Sequence, residues 1–181
     1  IILIKDVDGK DDRESLNDTA VEILDILNTE AMLKARVSYG LCVGELKDIS
    51  KSYKEAKMAL DVGDIFYSSL PILSYENLGI GRLIYQLPIS LCELVVKEVF
   101  KDTRPEDIDE EILTTVFKFF ENNLNVSETS RKLFVHRNTL VYRLEKIKKL
   151  TGLDLREFDH AIIFKIALMV KRYLSANPAK F

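Results

Sequence analysis

The chain is poor in the residues that most catalytic and metal-binding sites need. Of 181 residues, only 2 are histidine and 2 are cysteine. Neither His136 nor His160 stands at motif spacing from a cysteine, and no H-E-x-x-H or G-x-S-x-G string occurs. No metal site, cofactor site or catalytic constellation is therefore expected, and the chain reads as a non-enzyme. Cys42 and Cys92 form neither metal-type spacing nor a disulfide framework, so both read as reduced core thiols of a cytoplasmic protein. With 7 glycines there is no Gly-rich phosphate loop: "NLGIG" offers Gly79 and Gly81 but lacks the third glycine of a dinucleotide fingerprint. No apolar run reaches the roughly 18–20 residues that cross a bilayer. The longest, Ala161–Val170, is interrupted by Lys165. The chain opens "IILIKDVDG", with no initiator Met, basic leader or cleavage site, and reads as a piece of a longer protein.

What is present is an ordinary folding composition, 47% hydrophobic and 30% charged, at a length that suits one or two domains. Charge is unevenly spread. Residues 112–181 carry 13 Lys and Arg against 6 Asp and Glu, a net +7, whereas residues 1–111 carry 13 against 23, a net −10. A basic module behind an acidic one points the C-terminal part at a polyanion.

Read along the chain, "IILIK" is a short buried strand and Asp6–Asp12 a turn. The turn's carboxylates lack the spacing of a calcium loop. A helix follows, with Leu16, Ala20, Ile23, Leu24 and Leu27 on one face, then a strand over Ala35–Gly44. A second helix carries Leu46, Ile49, Tyr53, Ala56 and Leu60 at helical spacing, and "PILSYENL" returns as a strand. The fold class is α+β. A β-α-β-α-β domain over 1–86 is followed by a helical connector and linker over 87–111, restarted near Pro88. Lys101–Glu111, with Pro105, is the expected boundary. Residues 112–181 read as all-helical: "ILTTVFKFFENN", "NVSETSRKLF", "VHRNTLVYRLEKIKKLTG" and "LREFDHAIIFKIALMVKRYL". Asn125 and Glu128 form a capping-box-like start, and Gly152 is placed to stop the third helix.

The second and third of these helices are short, amphipathic and closely joined. Leu140, Leu144 and Ile147 give one stripe; Val126, Ser130 and Leu133 face it; Phe134 and Val135 fill the corner. This is the pattern of a helix-turn-helix, whose second helix enters the DNA major groove by its N-terminal end. There the chain places His136, Arg137, Asn138 and Thr139. Arg and Asn match base edges in bidentate fashion. His136 or Arg137 takes the cap. Val141 reaches a thymine methyl, and Tyr142 a phosphate or base. Arg143, Lys146, Lys148 and Lys149, with Arg131 and Lys132 from the preceding helix, continue a phosphate-directed surface.

The segment "NVSETSRKLFVHRNTLVYRLEKIKKLTGLDL" resembles the C-terminal helix-turn-helix of the PucR/CdaR family of bacterial transcriptional regulators, and the similarity extends from about Ile112 to Leu174. "HRNTL.YRL" followed by "TGLDL" carries it. That family often has a basic residue where this chain has Val141. A more distant similarity runs to the Fis-type helix-turn-helix. Upstream, "VSYGLCVGELKDISKSYKEAKMALDVG" looks like the second half of the GGDEF-like domain of CdaR-type regulators. The Gly-Gly-Asp/Glu-Glu-Phe hairpin of the cyclases is missing, so the resemblance implies a degenerate, non-catalytic domain.

Together these imply a sequence-specific DNA-binding regulator, an activator by resemblance, with a recognition helix over about Arg137–Leu150. A homodimer on double-stranded DNA is expected, formed by the apolar last helix or by Pro88–Phe100; burial of the last helix in its own core is the equal alternative. The resemblance places the effector-sensing region N-terminal to this chain. Two other readings stay open. One is a protein-interaction module that docks an acidic partner. The other is a nucleotide-processing enzyme built on the N-terminal part.

Overall fold

A computed structural model describes residues 1–7, 12–101 and 108–176, the side chains of Asp12 and Arg13 excepted. The turn expected at Asp6–Asp12 and the boundary expected at Lys101–Glu111 lie largely outside the described residues. The chain divides into two compact units, Ile1–Gln86 and Leu87–Phe181. The architecture is mostly helical with one small parallel sheet, in keeping with α+β.

In the N-terminal unit, helix α1 (Asp12–Thr29) precedes strand β1 (Val37–Tyr39), helix α2 (Ile49–Phe66), strand β2 (Ile72–Ser74) and helix α3 (Gly79–Tyr85). The strands pair in parallel, with Val37 opposite Ile72 and Tyr39 opposite Ser74. Parallel pairing needs a crossover, which α2 supplies. Its Ala59 and Val62 bury against Leu73 and Leu78. Gly63 permits the close approach: a Cβ there would stand 2.2 Å from Leu73 Cδ1. Arg36 clasps the loop after α2, donating from Nη2 to the Tyr67 carbonyl (3.0 Å) and from Nε to the Leu70 carbonyl (3.1 Å), while Nη1 meets Asp64.

Three expectations fail here. Ile1–Ile4 are exposed and form no strand: among the described residues the sheet holds β1 and β2 alone. The buried stripe of α2 is not the one with the largest side chains. Leu46 lies before α2 and is 86% exposed, Tyr53 is exposed and Leu60 is only partly buried, whereas Glu55, Ala59, Val62 and Gly63 face inward. Close packing on the sheet selects small residues. Glu55 is tolerated because its carboxylate accepts from the Leu41 N–H at 3.0 Å. Cys42, expected in a core, is exposed beyond the end of β1, which is only three residues long.

The C-terminal unit holds α4 (Ile89–Phe100), α5 (Glu110–Glu121), α6 (Val126–Lys132), α7 (Arg137–Thr151) and α8 (Phe158–Ala176). One core joins Val99 and Phe100 of α4, Ile112, Val116 and Phe119 of α5, Leu140, Leu144 and Ile147 of α7, and Phe164 and Ala167 of α8. The Phe100 and Phe164 rings lie 5.6 Å apart. Thus α4, within the stretch expected to be a connector, packs along α8 as a core element. Each buried large apolar side chain contributes about 1.5–3 kcal/mol. On α8 the outcome is mixed: Val170 is buried, Ile166, Leu168 and Met169 are half-buried, and Ile162 and Ile163 are exposed. No described helix is long and apolar enough to cross a membrane.

Candidate nucleic-acid interface

The interface is built on α6 and α7. Helix α6 starts at Asn125, whose side-chain oxygen accepts from the Glu128 N–H at 3.0 Å, the expected cap. Thr129 and Ser130 are buried, and the small Ser130 allows α6 to lie close to its neighbours. Helix α6 then ends in a tight reversal. The Phe134 N–H donates to the Arg131 carbonyl (3.2 Å) and the Val135 N–H to the Ser130 carbonyl (3.1 Å). This bonding requires a left-handed residue, normally glycine or asparagine, and Phe134 takes it at φ +56°. A non-glycine residue there costs about 1–2 kcal/mol. Nor does Phe134 fill the corner as expected, for its side chain is 96% exposed; Val135 packs on the core instead.

Helix α7 opens with His136 at its cap, extended at φ −65°, ψ 145°. Its Nδ1 accepts from the Asn138 N–H at 3.2 Å. That use of the Nδ1 lone pair leaves Nε2 as the protonated nitrogen, a donor on an exposed ring. Arg137 is exposed and steadied by a 2.8 Å hydrogen bond from Nη1 to Ser127 Oγ. Ser127 was not legible as a site residue, because nothing local pairs it with a residue ten positions on. Asn138 and Thr139 are exposed, Val141 is half-buried and Tyr142 is 67% exposed. Leu140, Leu144 and Ile147 take the opposite face and are buried, so His136, Arg137, Asn138, Thr139 and Tyr142 share the solvent side.

The remaining expected cations behave differently. Arg143 is turned inward with a side chain only 12% exposed. Its Nη1 donates to Thr115 Oγ1 (3.0 Å) and its Nη2 pairs with Glu111, so it ties α7 to α5 and does not continue the outer basic surface. Lys146 pairs with Asp109 at 2.5 Å, and that hydrogen bond raises its pKa. Lys148 donates to Asp154 at 3.0 Å, which likewise raises its pKa. Arg131 pairs with Glu128 at 2.5 Å, and Lys132 approaches the same carboxylate at 3.9 Å; both cations are exposed.

The end of α7 explains the string "TGLDL". Gly152 stops the helix in the left-handed region at φ +83°. Thr151 Oγ1 donates back to the Ile147 carbonyl (2.9 Å) and accepts from the Leu153 N–H (3.2 Å). Asp154 is buried and receives Arg156 Nε (2.7 Å), Arg156 Nη2 (2.6 Å) and Lys148 Nζ. The Arg156 bonds, with help from Lys148 and against the opposing effect of burial, hold the Asp154 carboxyl well below the usual carboxylate range. Leu155 is fully buried beside it. His160 is structural: its Nδ1 accepts from the Asp154 N–H at 3.2 Å. Among the described residues no group of histidines, cysteines or carboxylates could hold a metal ion.

Comparison with known proteins fits this geometry. Residues 112–170 match the PucR C-terminal helix-turn-helix domain. The C-terminal unit therefore carries a helix-turn-helix of the kind used by DNA-binding transcriptional regulators. Relatives align over almost the whole chain. The "Purine catabolism regulatory protein" of Bacillus subtilis is 26% identical over 93% of this chain and 33% of its own length. The "Carbohydrate diacid regulator" of Escherichia coli is 28% identical over 90% of this chain and 42% of its own. The chain thus spans a third to about two-fifths of the curated relatives it matches. The crystal structure of a "Regulator of Polyketide Synthase Expression" from Bifidobacterium adolescentis covers 68% of this chain and 50% of that chain at 25% identity, with a TM-score of 0.42.

Proposed function

We propose that this chain is the DNA-reading part of a PucR/CdaR-type transcriptional regulator, and that His136, Arg137, Asn138, Thr139, Val141 and Tyr142 face the major groove. The observation that carries the reading is the sorting of side chains on α7. Its donors stand exposed over the first turn, while the apolar stripe is wholly in the core. Arg137 and Asn138 supply base-edge readout, and Arg131 and Lys132 supply phosphate contacts. Activation is favoured by relatives named as a proline-responsive activator and as the activator AdeR, both of Bacillus subtilis. The effector would be sensed outside residues 1–181. The N-terminal unit is a degenerate GGDEF-like domain without catalysis; its parallel strand–helix–strand and its inclusion in the regulator alignments support this.

The protein acts as a homodimer. Phe158, Ile162 and Ile163 leave an exposed apolar stripe on α8. An antiparallel pairing of two copies centred on Ile162 sets Asp159 of one against Lys165 of the other. A light-scattering mass of one chain across micromolar concentrations contradicts this part.

The whole reading is tested by selecting ligands from a random duplex pool with this chain at two salt concentrations. An enriched motif, strongest at low salt, is the expected result. Salt-dependent capture with no enriched motif contradicts it and favours a non-specific basic module.

A further inference from the structure

Among the described residues of the C-terminal unit, four non-glycine residues have positive φ: Lys101, Asn123, Leu124 and Phe134. Three are readily explained. Lys101 is polar and exposed, asparagine tolerates the left-handed region, and Leu124 is half-buried against the core. Gly152 does the same work at the end of α7. Phe134 alone among them joins a disfavoured backbone to a large apolar side chain that is 96% exposed. Neither the turn nor the core accounts for a phenyl ring at that position; because Met32 of the N-terminal unit shares the combination at φ +52° and 88% exposure, it is the residues around Phe134 that point to a ligand.

The surroundings indicate which ligand. Exposed Arg131 and Lys132 lie immediately before the turn, and exposed His136, Arg137, Asn138 and Thr139 immediately after it. An apolar ring set among cations and hydrogen-bond donors matches a polyanion that also presents flat apolar surfaces. A DNA duplex does so with its deoxyribose edges and thymine methyls. We propose that Phe134 is a DNA-contacting residue, its ring lying on a sugar edge or thymine methyl of the duplex beside the contacts of Arg137. The inference rests on the helix-turn-helix reading above.

The test measures stability and binding together, on the full chain, with the duplex enriched from the random pool. F134G relieves the left-handed strain and should raise the unfolding midpoint by about 4 °C. It should also weaken duplex binding roughly tenfold, the loss for one uncovered apolar side chain. Because no charge is removed, the dependence of affinity on salt should keep its slope, unlike that of K132A. F134Y, which keeps the ring, should bind like the parent. More stable F134G protein with parental affinity overturns the proposal. If the parent chain binds no duplex at all, the helix-turn-helix reading fails and takes this inference with it. If the parent binds and F134G binds equally well, only this inference fails.

Discussion

The two ends of α7 carry similar residues and do different work. At the start, His136, Arg137, Asn138 and Thr139 are exposed, and Arg137 is steadied by a neutral hydroxyl. Further along, Arg143, Lys146 and Lys148 each meet a carboxylate: Glu111, Asp109 and Asp154. A cation held by a carboxylate outside its own helix is committed to the fold, whereas Arg131 and Lys132 share only Glu128 of their own helix and stay exposed. Counting cations along a helix therefore overstates the surface offered to DNA. The second half of α7 is attached to α5 and to the turn before α8, which leaves the first half as the proposed ligand-facing end.

Substitutions separate the two ends by which property moves. The largest effect belongs to the shared core. Leu144→Ala removes a fully packed side chain and should cost about 2–5 kcal/mol of stability, read as a fall in denaturation midpoint, with DNA binding lost as the fold is lost. Next is the attached end. Asp154→Ala deletes the acceptor of two Arg156 bonds and one Lys148 bond and should cost about 2 kcal/mol. Because the folded carboxyl titrates below the unfolded one, this contribution is complete above the ordinary carboxylate range near pH 4. It declines as pH falls through that range toward the lower folded value. Melting curves of Asp154→Asn should therefore lose part of the parent's acid dependence. An unchanged acid limb contradicts the network.

At the ligand-facing end, Arg137→Ala should leave the melting temperature within about 2 °C and weaken binding to the selected duplex by about 1–3 kcal/mol. Smaller again, Asn125→Ala should lower stability by about 1 kcal/mol through loss of the α6 cap. Last, Lys148→Ala should act on stability more than on DNA. Its melting temperature falls while its salt slope stays close to the parental one, because its charge already belongs to Asp154. A slope reduced by a full phosphate contact would return Lys148 to the interface.

Much of the C-terminal unit was legible before any coordinates. Periodicity located the α7 stripe of Leu140, Leu144 and Ile147, because a packed helix repeats its apolar positions at local spacing. The Asn125 cap and the Gly152 stop were legible for the same reason: both are local. What sequence could not show depended on distant partners. Arg143 reaches Thr115 and Glu111, about thirty residues away, so its inward turn left no nearby signal. In the N-terminal unit the apolar pattern misled, since close packing on a two-stranded sheet favoured Ala59 and Gly63 over larger neighbours. Phe134 was read as a corner filler because apolar residues are usually inside; its positive φ is a property only of the folded turn.

The central claim is that the first turn of α7 reads bases. The most direct measurement compares the parent and Asn138→Ala on the selected duplex and on a set with each base pair changed in turn. The account predicts that Asn138→Ala loses discrimination at one base pair of each half-site and keeps it elsewhere. If the variant binds every duplex weaker by one common factor, or with unchanged preference, Asn138 reads no base and the assigned interface is wrong.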